Sequence, residues 1–203
     1  MRVKASVGLS IGILAMMTSS GCSDRDRDTE AITIDDHVFD VPRDYLIEER
    51  IPWLPQSEEK GLLFHINPEA PVRERISVLI ESTSITCNPK TPPAYGQLAS
   101  VCEDAEQQAG DIQQTQSSPL EKELWNGDPT QWVYRIADKQ GNGQGDIVAT
   151  CSAMGDGDGL CYSLSNYADL VYRIGLRESE IKRLPAIRGR IRELLASWEK
   201  QTS

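Results

Sequence analysis

Four cysteines between residues 87 and 161 have the spacing that most directly implies chemistry. Cys87 and Cys102 flank a proline-rich stretch, and Cys151 and Cys161 flank the glycine-rich turn Gly155–Gly159. An even number of thiols in an oxidising compartment is typical of disulfides. Of the three possible connectivities we favour the local one, Cys87–Cys102 with Cys151–Cys161, each bridge contributing about 3 kcal/mol through loop closure. A metal site would need closely spaced thiolates or nearby histidines, and the sequence supplies neither.

Other candidate catalytic or metal-binding residues are sparse. His37 and His65 are the two histidines of the chain, and each adjoins a predicted strand with no visible catalytic partner. Gly8–Gly12 has the G-x-S-x-G spacing of a serine-hydrolase elbow, but it lies in a segment predicted to be removed. Asp156 and Asp158 suggest a calcium loop, yet the remaining oxygen ligands are missing, so we favour a solvated hairpin tip. The sequence therefore predicts no enzyme, no metal and no cofactor.

The N-terminus has the layout of a secretory signal. Met1–Lys4 is basic, and Val7–Met17 is uncharged but shorter than the roughly 20 residues that span a bilayer. The following Thr-Ser-Ser-Gly-Cys-Ser ends in small residues around Cys22 and resembles the lipobox of bacterial lipoproteins, with Ser19 where an aliphatic residue is usual. The resemblance implies cleavage before Cys22 and its modification with a diacylglyceryl group and an acyl chain such as palmitate. The alternative is an ordinary signal peptide followed by an incidental cysteine.

The same resemblance implies a location in the cell envelope. Ser23 directly after the lipidated cysteine favours the outer membrane, with the body in the periplasm, although Asp24 weakens that inference. Several acyl chains together anchor a protein firmly. Residues 22–31 alternate in charge without large apolar side chains, which predicts a flexible tether. The expected organisation is a signal peptide (1–21), a tether (22–31) and one domain (32–203).

Alternating apolar and polar residues predict a succession of short strands. The clearest is Arg75–Ser82. The others are Val38–Val41, Gly61–Ile66, Lys122–Trp125, Trp132–Ile136, Asp146–Cys151, Leu160–Leu164 and Leu170–Ile174. Residues 88–118 are rich in Pro, Gln, Ser and acidic residues and are expected to form a long loop with a short helix near Tyr95–Gln107. Long loops of this kind often bind ligands or partners.

Aromatic residues concentrate on the predicted central hairpin. Trp125 lies on one strand, Trp132 and Tyr134 lie on the next, and the turn-forming Asn126–Pro129 joins them. Such residues could form a carbohydrate-binding platform, but cross-strand packing is the interpretation that we favour.

One amphipathic helix is predicted after the strands. Pro185 suits a first helical position, and an apolar stripe of spacing three and four follows it: Ile187, Ile191, Leu194, Leu195 and Trp198. Arg188, Arg190 and Arg192 are expected to face solvent. The predicted fold class is α+β, an antiparallel sheet of about seven strands with a C-terminal amphipathic helix packed on one face.

Composition restricts the partners. The chain carries 31 acidic and 21 basic residues, a formal net charge of −10, which excludes an electrostatic footprint for nucleic acid. Basic residues are concentrated after Arg173, and we expect them to balance the acidic body. The alternative is a basic surface for a partner.

Two segments at the ends of the body resemble small envelope lipoproteins. Phe39–Tyr45 is similar to their F-x-[IV]-P-x-x-Y opening. Tyr172–Ile174, Leu184–Ile187 and Leu194–Trp198 are similar to their closing strand and helix. Proteins of this kind act in the periplasm as immunity proteins against lipase effectors of type VI secretion. The resemblance implies a protein that binds a toxic effector, and it assigns no inhibitory residue.

The leading hypothesis is a non-enzymatic, lipid-anchored periplasmic lipoprotein that binds a protein partner and acts as an immunity protein. The alternative is a structural or accessory lipoprotein of an envelope assembly. The membrane would be contacted through the lipid on Cys22. The residues expected to contact the partner are the loop acids Glu103, Asp104, Glu106 and Asp111 and the helix arginines Arg188 and Arg192.

Overall fold

In the part of the chain that the structure describes, seven antiparallel strands form the main sheet and two further strands form a separate hairpin. The computed structural model describes residues 28–47, 61–87, 97, 101–102, 111–115, 131–136, 145–155 and 157–200. The strands are β1 (Thr29–Ile34), β2 (His37–Pro42), β3 (Gly61–His65), β4 (Ser77–Ser82), β5 (Ile112–Thr115), β6 (Gln131–Ile136), β7 (Ile147–Ser152), β8 (Leu160–Tyr167) and β9 (Leu170–Arg177). The helices are α1 (Thr83–Thr86), α2 (Leu184–Trp198) and the 3-10 helices Arg43–Tyr45, Val72–Glu74 and Glu178–Arg183.

The main sheet has the order β3-β4-β9-β8-β7-β6-β5. Neighbouring strands are antiparallel throughout, and the register places Ser77 of β4 opposite Gly175 of β9, far apart in sequence. With α2 on one side, this confirms the predicted α+β class and the sheet of about seven strands. Within the described residues, no helix has the length and apolar character needed to cross a bilayer.

Strand alternation gives the sheet two different faces. On β3, Leu62 and Phe64 are fully buried, whereas Leu63 between them is half-buried. We call the side of Leu62 the helix face, because its side chains share one core with α2 and with the β1–β2 hairpin. The side of Leu63 is the open face. The hydrophobic core of the protein therefore lies between the helix face and α2.

The apolar stripe of α2 is buried as predicted. Ile187, Ile191, Leu194, Leu195 and Trp198 all belong to the core. The Trp198 ring lies edge-on to Phe64 of β3 at 5.0 Å and to Tyr45 at 5.1 Å. These contacts fix the end of the helix against the outer strand of the sheet.

The hairpin of β1 and β2 begins three residues before residue 32, where the domain is predicted to begin from the sequence. Residues 29–31, which the sequence assigns to the tether, form the first half of β1 and pair with β2 from Thr29 opposite Pro42. The side chains of these three residues are exposed, so this half of the strand depends on backbone pairing and shows no apolar pattern, whereas Ile34 at the end of the strand is fully buried. The predicted signal peptide, Cys22 and the tether up to residue 27 lie outside the described residues.

Strand β5 corrects the predicted long loop 88–118. Ile112–Thr115 pairs with β6 at the edge of the main sheet. An edge strand needs partners on one side alone, so the polar sequence Ile-Gln-Gln-Thr is sufficient here. The predicted strand Lys122–Trp125 lies outside the described residues.

Candidate protein-binding surface

The residues predicted to contact a partner do not form one described surface. Asp111 is exposed directly before β5, and Arg192 is exposed on α2. The loop acids Glu103, Asp104 and Glu106 lie outside the described residues. The structure thus places Asp111 and Arg192 on separate elements. The third described residue of the predicted set, Arg188, does not face solvent, contrary to the prediction from the sequence.

Arg188 turns toward the sheet instead of toward solvent. Its Nη2 donates to the carbonyl oxygen of Val148 at 3.4 Å, to Ser163 Oγ at 2.8 Å and to the carbonyl oxygen of Leu164 at 3.1 Å. Burial of the guanidinium lowers the pKa of Arg188 to about 10. The long aliphatic stem lets the charged group reach these acceptors from the helix. Arg188 therefore joins α2 to β7 and β8, and the prediction that it faces solvent is wrong.

The acceptors of Arg188 lie where β7 and β8 stop pairing. The two strands are in register from Thr150 opposite Tyr162 to Ser152 opposite Leu160. Beyond that point Gln97, which is 1% exposed, accepts the Leu164 N–H at 2.8 Å and donates to the Tyr162 carbonyl oxygen at 3.0 Å. Two side chains from outside the sheet therefore supply the hydrogen bonds that a continued strand ladder would have made.

Both disulfides favoured by the sequence are present, Cys87–Cys102 and Cys151–Cys161. The first holds the segment around Val101 against the open face, where Val101 packs on Leu164 and Val171. The second joins opposite positions of β7 and β8, at the base of the turn that follows β7. The first bridge therefore joins the segment around Val101 to the end of α1, and the second joins β7 to β8.

His37 lies between two carboxylates. Its Nδ1 is 2.5 Å from Glu199 Oε1, and its Nε2 is 2.5 Å from Asp169 Oδ1. Burial opposes the charged ring, but the hydrogen bonds to Glu199 and Asp169 outweigh burial and raise the pKa of His37. The same hydrogen bonds lower the pKa of both carboxyl groups. Each ring nitrogen of His37 therefore contacts a different carboxylate. The three side chains together connect β2 to the β8–β9 turn through Asp169 and to the end of α2 through Glu199.

His65 pairs with Ser77 across β3 and β4. The Ser77 Oγ lies 3.3 Å from His65 Nδ1. Burial and the neighbouring charge of Arg75 lower the pKa of His65. A serine-hydrolase triad also needs a carboxylate on the other ring nitrogen. Among the described residues no carboxylate contacts it, and the arrangement is not a triad.

The central aromatic residues pack as the sequence suggests. Trp132 and Tyr134 are partly buried against the helix-face core. The Trp132 Nε1 and the Tyr134 hydroxyl both donate to Glu178 Oε1, at 2.9 and 2.5 Å. Burial and the Glu178 carboxylate raise the pKa of Tyr134 to about 12. Trp125 lies outside the described residues.

An apolar surface is exposed at the end of the open face where β3 ends and β4 begins. Val72 is 77% exposed and Met154 is 43% exposed, the two large hydrophobic side chains of the described chain that stand out in solvent. They line a shallow groove of about 350 Å³ whose apolar floor is formed by Leu63, Leu79 and Leu160. Exposed apolar clusters of this kind mark interaction sites.

Four arginines surround the apolar groove: Arg73, Arg75, Arg173 and Arg177. Together with Leu63, Val72, Leu79, Met154 and Leu160 they define what we call the arginine-rimmed surface. The combination of apolar floor and arginine rim is typical of protein interfaces, where arginine is enriched and lysine is depleted. The rim is positive on a chain whose formal net charge is −10.

The loop that presents Val72 is braced from within. Asn67 Oδ1 accepts the Ile76 N–H at 2.9 Å, and Asn67 Nδ2 donates to the Glu74 carbonyl oxygen at 2.9 Å. Arg75 Nε donates to the Ala70 carbonyl oxygen at 2.9 Å. An apolar side chain held outward by a braced loop needs little further ordering when a partner binds.

A signal for this surface was present in the sequence. On β9 the alternation of buried and half-buried residues places Arg173 and Arg177 on the same face. In the predicted strand Arg75–Ser82 the same period of two aligns Arg75 with Leu79. The sequence could not show that β4 and β9 are neighbours. The residues of the arginine-rimmed surface were therefore missed, although each strand was predicted.

No family model and no curated protein matches the sequence. Among solved structures, this chain is similar to an immunity protein of the Stenotrophomonas maltophilia type IV secretion system. The TM-score is 0.47 and the sequence identity 11%, over 85% of this chain and 94% of that chain. No residue role is carried over from that protein, and the type VI association implied by the sequence stays a prediction.

Proposed function

We propose that this chain is a lipid-anchored envelope protein that binds a protein partner through the arginine-rimmed surface and acts as an immunity protein against a toxic effector. The single observation that carries the proposal is the exposure of Val72 and Met154 inside a rim of four arginines. Leaving such side chains in water has no benefit for the fold, so a partner that covers them explains the arrangement.

The geometry suits inhibition by occupancy. An immunity protein needs a rigid surface that covers its effector, and it needs no catalytic group. The turn that carries Met154 is held by the Cys151–Cys161 bridge, and the loop that carries Val72 is held by Asn67. A preorganised surface of this kind supports tight binding because little conformational entropy is lost.

The anchoring part of the proposal rests on the sequence around Cys22. The signal-like start and the small residues before Cys22 support lipidation. Two disulfides are the expected state in an oxidising compartment such as the periplasm. A Cys22→Ser variant should move from the membrane fraction to the soluble envelope fraction. If that variant still sediments with membranes, the lipid anchor is wrong.

Co-expression tests the immunity function. The full chain is expressed with the protein encoded by the adjacent gene, which is directed to the periplasm, and survival and co-purification are measured. The wild-type chain should protect, whereas Val72→Asp with Met154→Asp should not, because charges replace the apolar contacts. Lys182→Glu changes an exposed residue outside the arginine-rimmed surface and should protect fully.

Two outcomes contradict the proposal. If the wild-type chain neither protects nor co-purifies, the immunity function fails, and an accessory role in an envelope assembly takes its place. If the Val72→Asp, Met154→Asp variant protects as well as the wild type, the function stands elsewhere on the molecule and the arginine-rimmed surface is not the binding site. An Arg192→Glu variant tests the earlier sequence hypothesis in the same assay.

A further inference from the structure

A second, deeper cavity adjoins the arginine-rimmed surface. It has a volume of about 540 Å³ and lies between the 66–76 loop, the 3-10 helix Glu178–Arg183 and the first turns of α2. Five arginines line it: Arg73, Arg75, Arg177, Arg183 and Arg190. We call this cavity the arginine pocket.

The carboxylates that line the arginine pocket are fewer than the arginines and are partly engaged. They are Glu74, Asp158 and Glu180. The Asp158 carboxylate accepts the Ser179 N–H at 3.1 Å and the Ser179 hydroxyl at 3.0 Å. Glu180 forms an ion pair with Arg183, and Glu193 forms one with Arg190. Among the described residues, the lining therefore carries more arginines than carboxylates, within an acidic protein.

Backbone oxygens orient two of the guanidinium groups. Arg75 Nε donates to the Ala70 carbonyl oxygen, and Arg177 Nη1 donates to the Asp158 carbonyl oxygen at 3.1 Å. A carbonyl oxygen fixes the direction of a guanidinium and brings no formal negative charge of its own. The planar fork of arginine then suits a carboxylate, which it binds through two parallel hydrogen bonds.

The arginine pocket is continuous with the apolar groove, because Arg73, Arg75 and Arg177 line both. We infer that the arginine pocket binds aspartate or glutamate side chains of the protein partner, next to bulky apolar side chains that cover Val72 and Met154. The inference rests on the proposed function and adds the chemistry of the partner, an acidic and apolar segment. Charge complementarity is the argument for this occupant.

Peptide binding tests the inference without knowledge of the partner. The probes are a capped five-residue peptide that alternates leucine and glutamate and its counterpart with glutamine, titrated into the full chain in a neutral detergent and measured by calorimetry. The glutamate peptide should bind about tenfold more tightly, since one well-formed charged hydrogen-bonded pair is worth roughly that factor. Arg183→Gln with Arg190→Gln should remove this preference and leave the glutamine peptide unaffected.

Controls separate the pocket from general charge effects. Lys182→Gln and Arg192→Gln remove positive charges next to the pocket without lining it, and both should keep the preference for glutamate. Arg73→Gln changes another arginine of the pocket and should reduce the preference for the glutamate peptide. Equal affinity for the two peptides, or an unchanged preference in the Arg183→Gln, Arg190→Gln variant, would overturn the inference. So would tighter binding of inorganic phosphate than of the glutamate peptide at the same site.

The outcomes distinguish the inference from the proposed function. If Arg183→Gln with Arg190→Gln protects cells normally while Val72→Asp with Met154→Asp does not, the partner binds the apolar groove without an acidic side chain in the pocket. If the peptide preference is present but the wild-type chain does not protect cells, the pocket binds carboxylates and the immunity function is wrong.

Discussion

The helix face and the open face of the main sheet are built from the same strands but serve different purposes. On the helix face, Leu62, Phe64, Val78 and Ile80 are fully buried beneath α2 and the β1–β2 hairpin. On the open face the segment with Val101 covers one end, and the other end presents the arginine-rimmed surface. One face therefore supplies most of the apolar burial, and part of the other remains available for binding.

This division has a physical reason. A sheet that gains enough burial from one face can leave apolar side chains of the other face in a half-buried state. The substitutions below test how sharply stability and binding are divided between the two faces.

The largest effect is expected for two adjacent leucines of β3 that point to opposite faces. Leu62→Ala should lower the free energy of unfolding by about 3 kcal/mol, because it leaves a cavity in the core. Leu63→Ala should lower it by less than about 1 kcal/mol, since the side chain is half-buried. Denaturant unfolding measures both. Equal losses would show that the open face is as well packed as the helix face.

The second effect concerns two arginines one turn apart on α2. Arg188→Ala should cost about 2 kcal/mol, because the carbonyl oxygens of Val148 and Leu164 lose a buried charged donor. Arg192→Ala should change the free energy of unfolding by no more than about 0.5 kcal/mol, since its side chain is exposed. If both variants behave alike, Arg188 does not hold β7 and β8 together.

The third effect compares the two histidines as a function of pH. The raised pKa of His37 means that its contribution is complete below its ordinary value of 6.5 and is lost as the pH rises through the raised value. The lowered pKa values of Asp169 and Glu199 mean that their contribution is present above their ordinary values of 3.8 and 4.5 and is lost on further acidification. His37→Gln should therefore destabilise most between about pH 4.5 and 6.5, by about 1 kcal/mol.

His65→Gln is the control for that measurement. Burial and Arg75 lower the pKa of His65, so its protonation opposes folding as the pH falls below 6.5. Its replacement should therefore bring no loss in the acidic window. Thermal melts at several pH values distinguish the two variants. A His37→Gln loss that is the same at every pH would mean that the charged cluster is not the cause.

The smallest effect on folding is expected at the arginine-rimmed surface. Val72→Ser should change the free energy of unfolding by less than about 0.5 kcal/mol, because the side chain is 77% exposed. Val78→Ser, a fully buried valine on the helix face, should cost more than about 2 kcal/mol. A hydrophobic dye should fluoresce less with Val72→Ser than with the wild-type chain, because the folded variant exposes less apolar surface. A large loss of stability in Val72→Ser would mean that this surface belongs to the core.

The sequence alone determined the features that depend on local periodicity. It located β2, β3, β4, β6 to β9 and the apolar stripe of α2, and among three possible connectivities of the four cysteines it favoured the one that the structure has. Each of these features is encoded within a window of a few residues, since strand and helix periods differ and nearby cysteines meet across short loops. The lipid on Cys22 remains an expectation from the same kind of local pattern.

Only the tertiary structure decided which residues act together. The first half of β1 and the whole of β5 form because neighbouring strands offer backbone hydrogen bonds to segments with little apolar pattern. Arg188 turns inward because carbonyl oxygens of β7 and β8 accept its hydrogen bonds. The arginine-rimmed surface exists because β4 lies beside β9, a neighbourhood that no local pattern specifies. Periodicity determines which side of a strand is apolar, whereas the order of strands in the sheet determines which side chains share a surface.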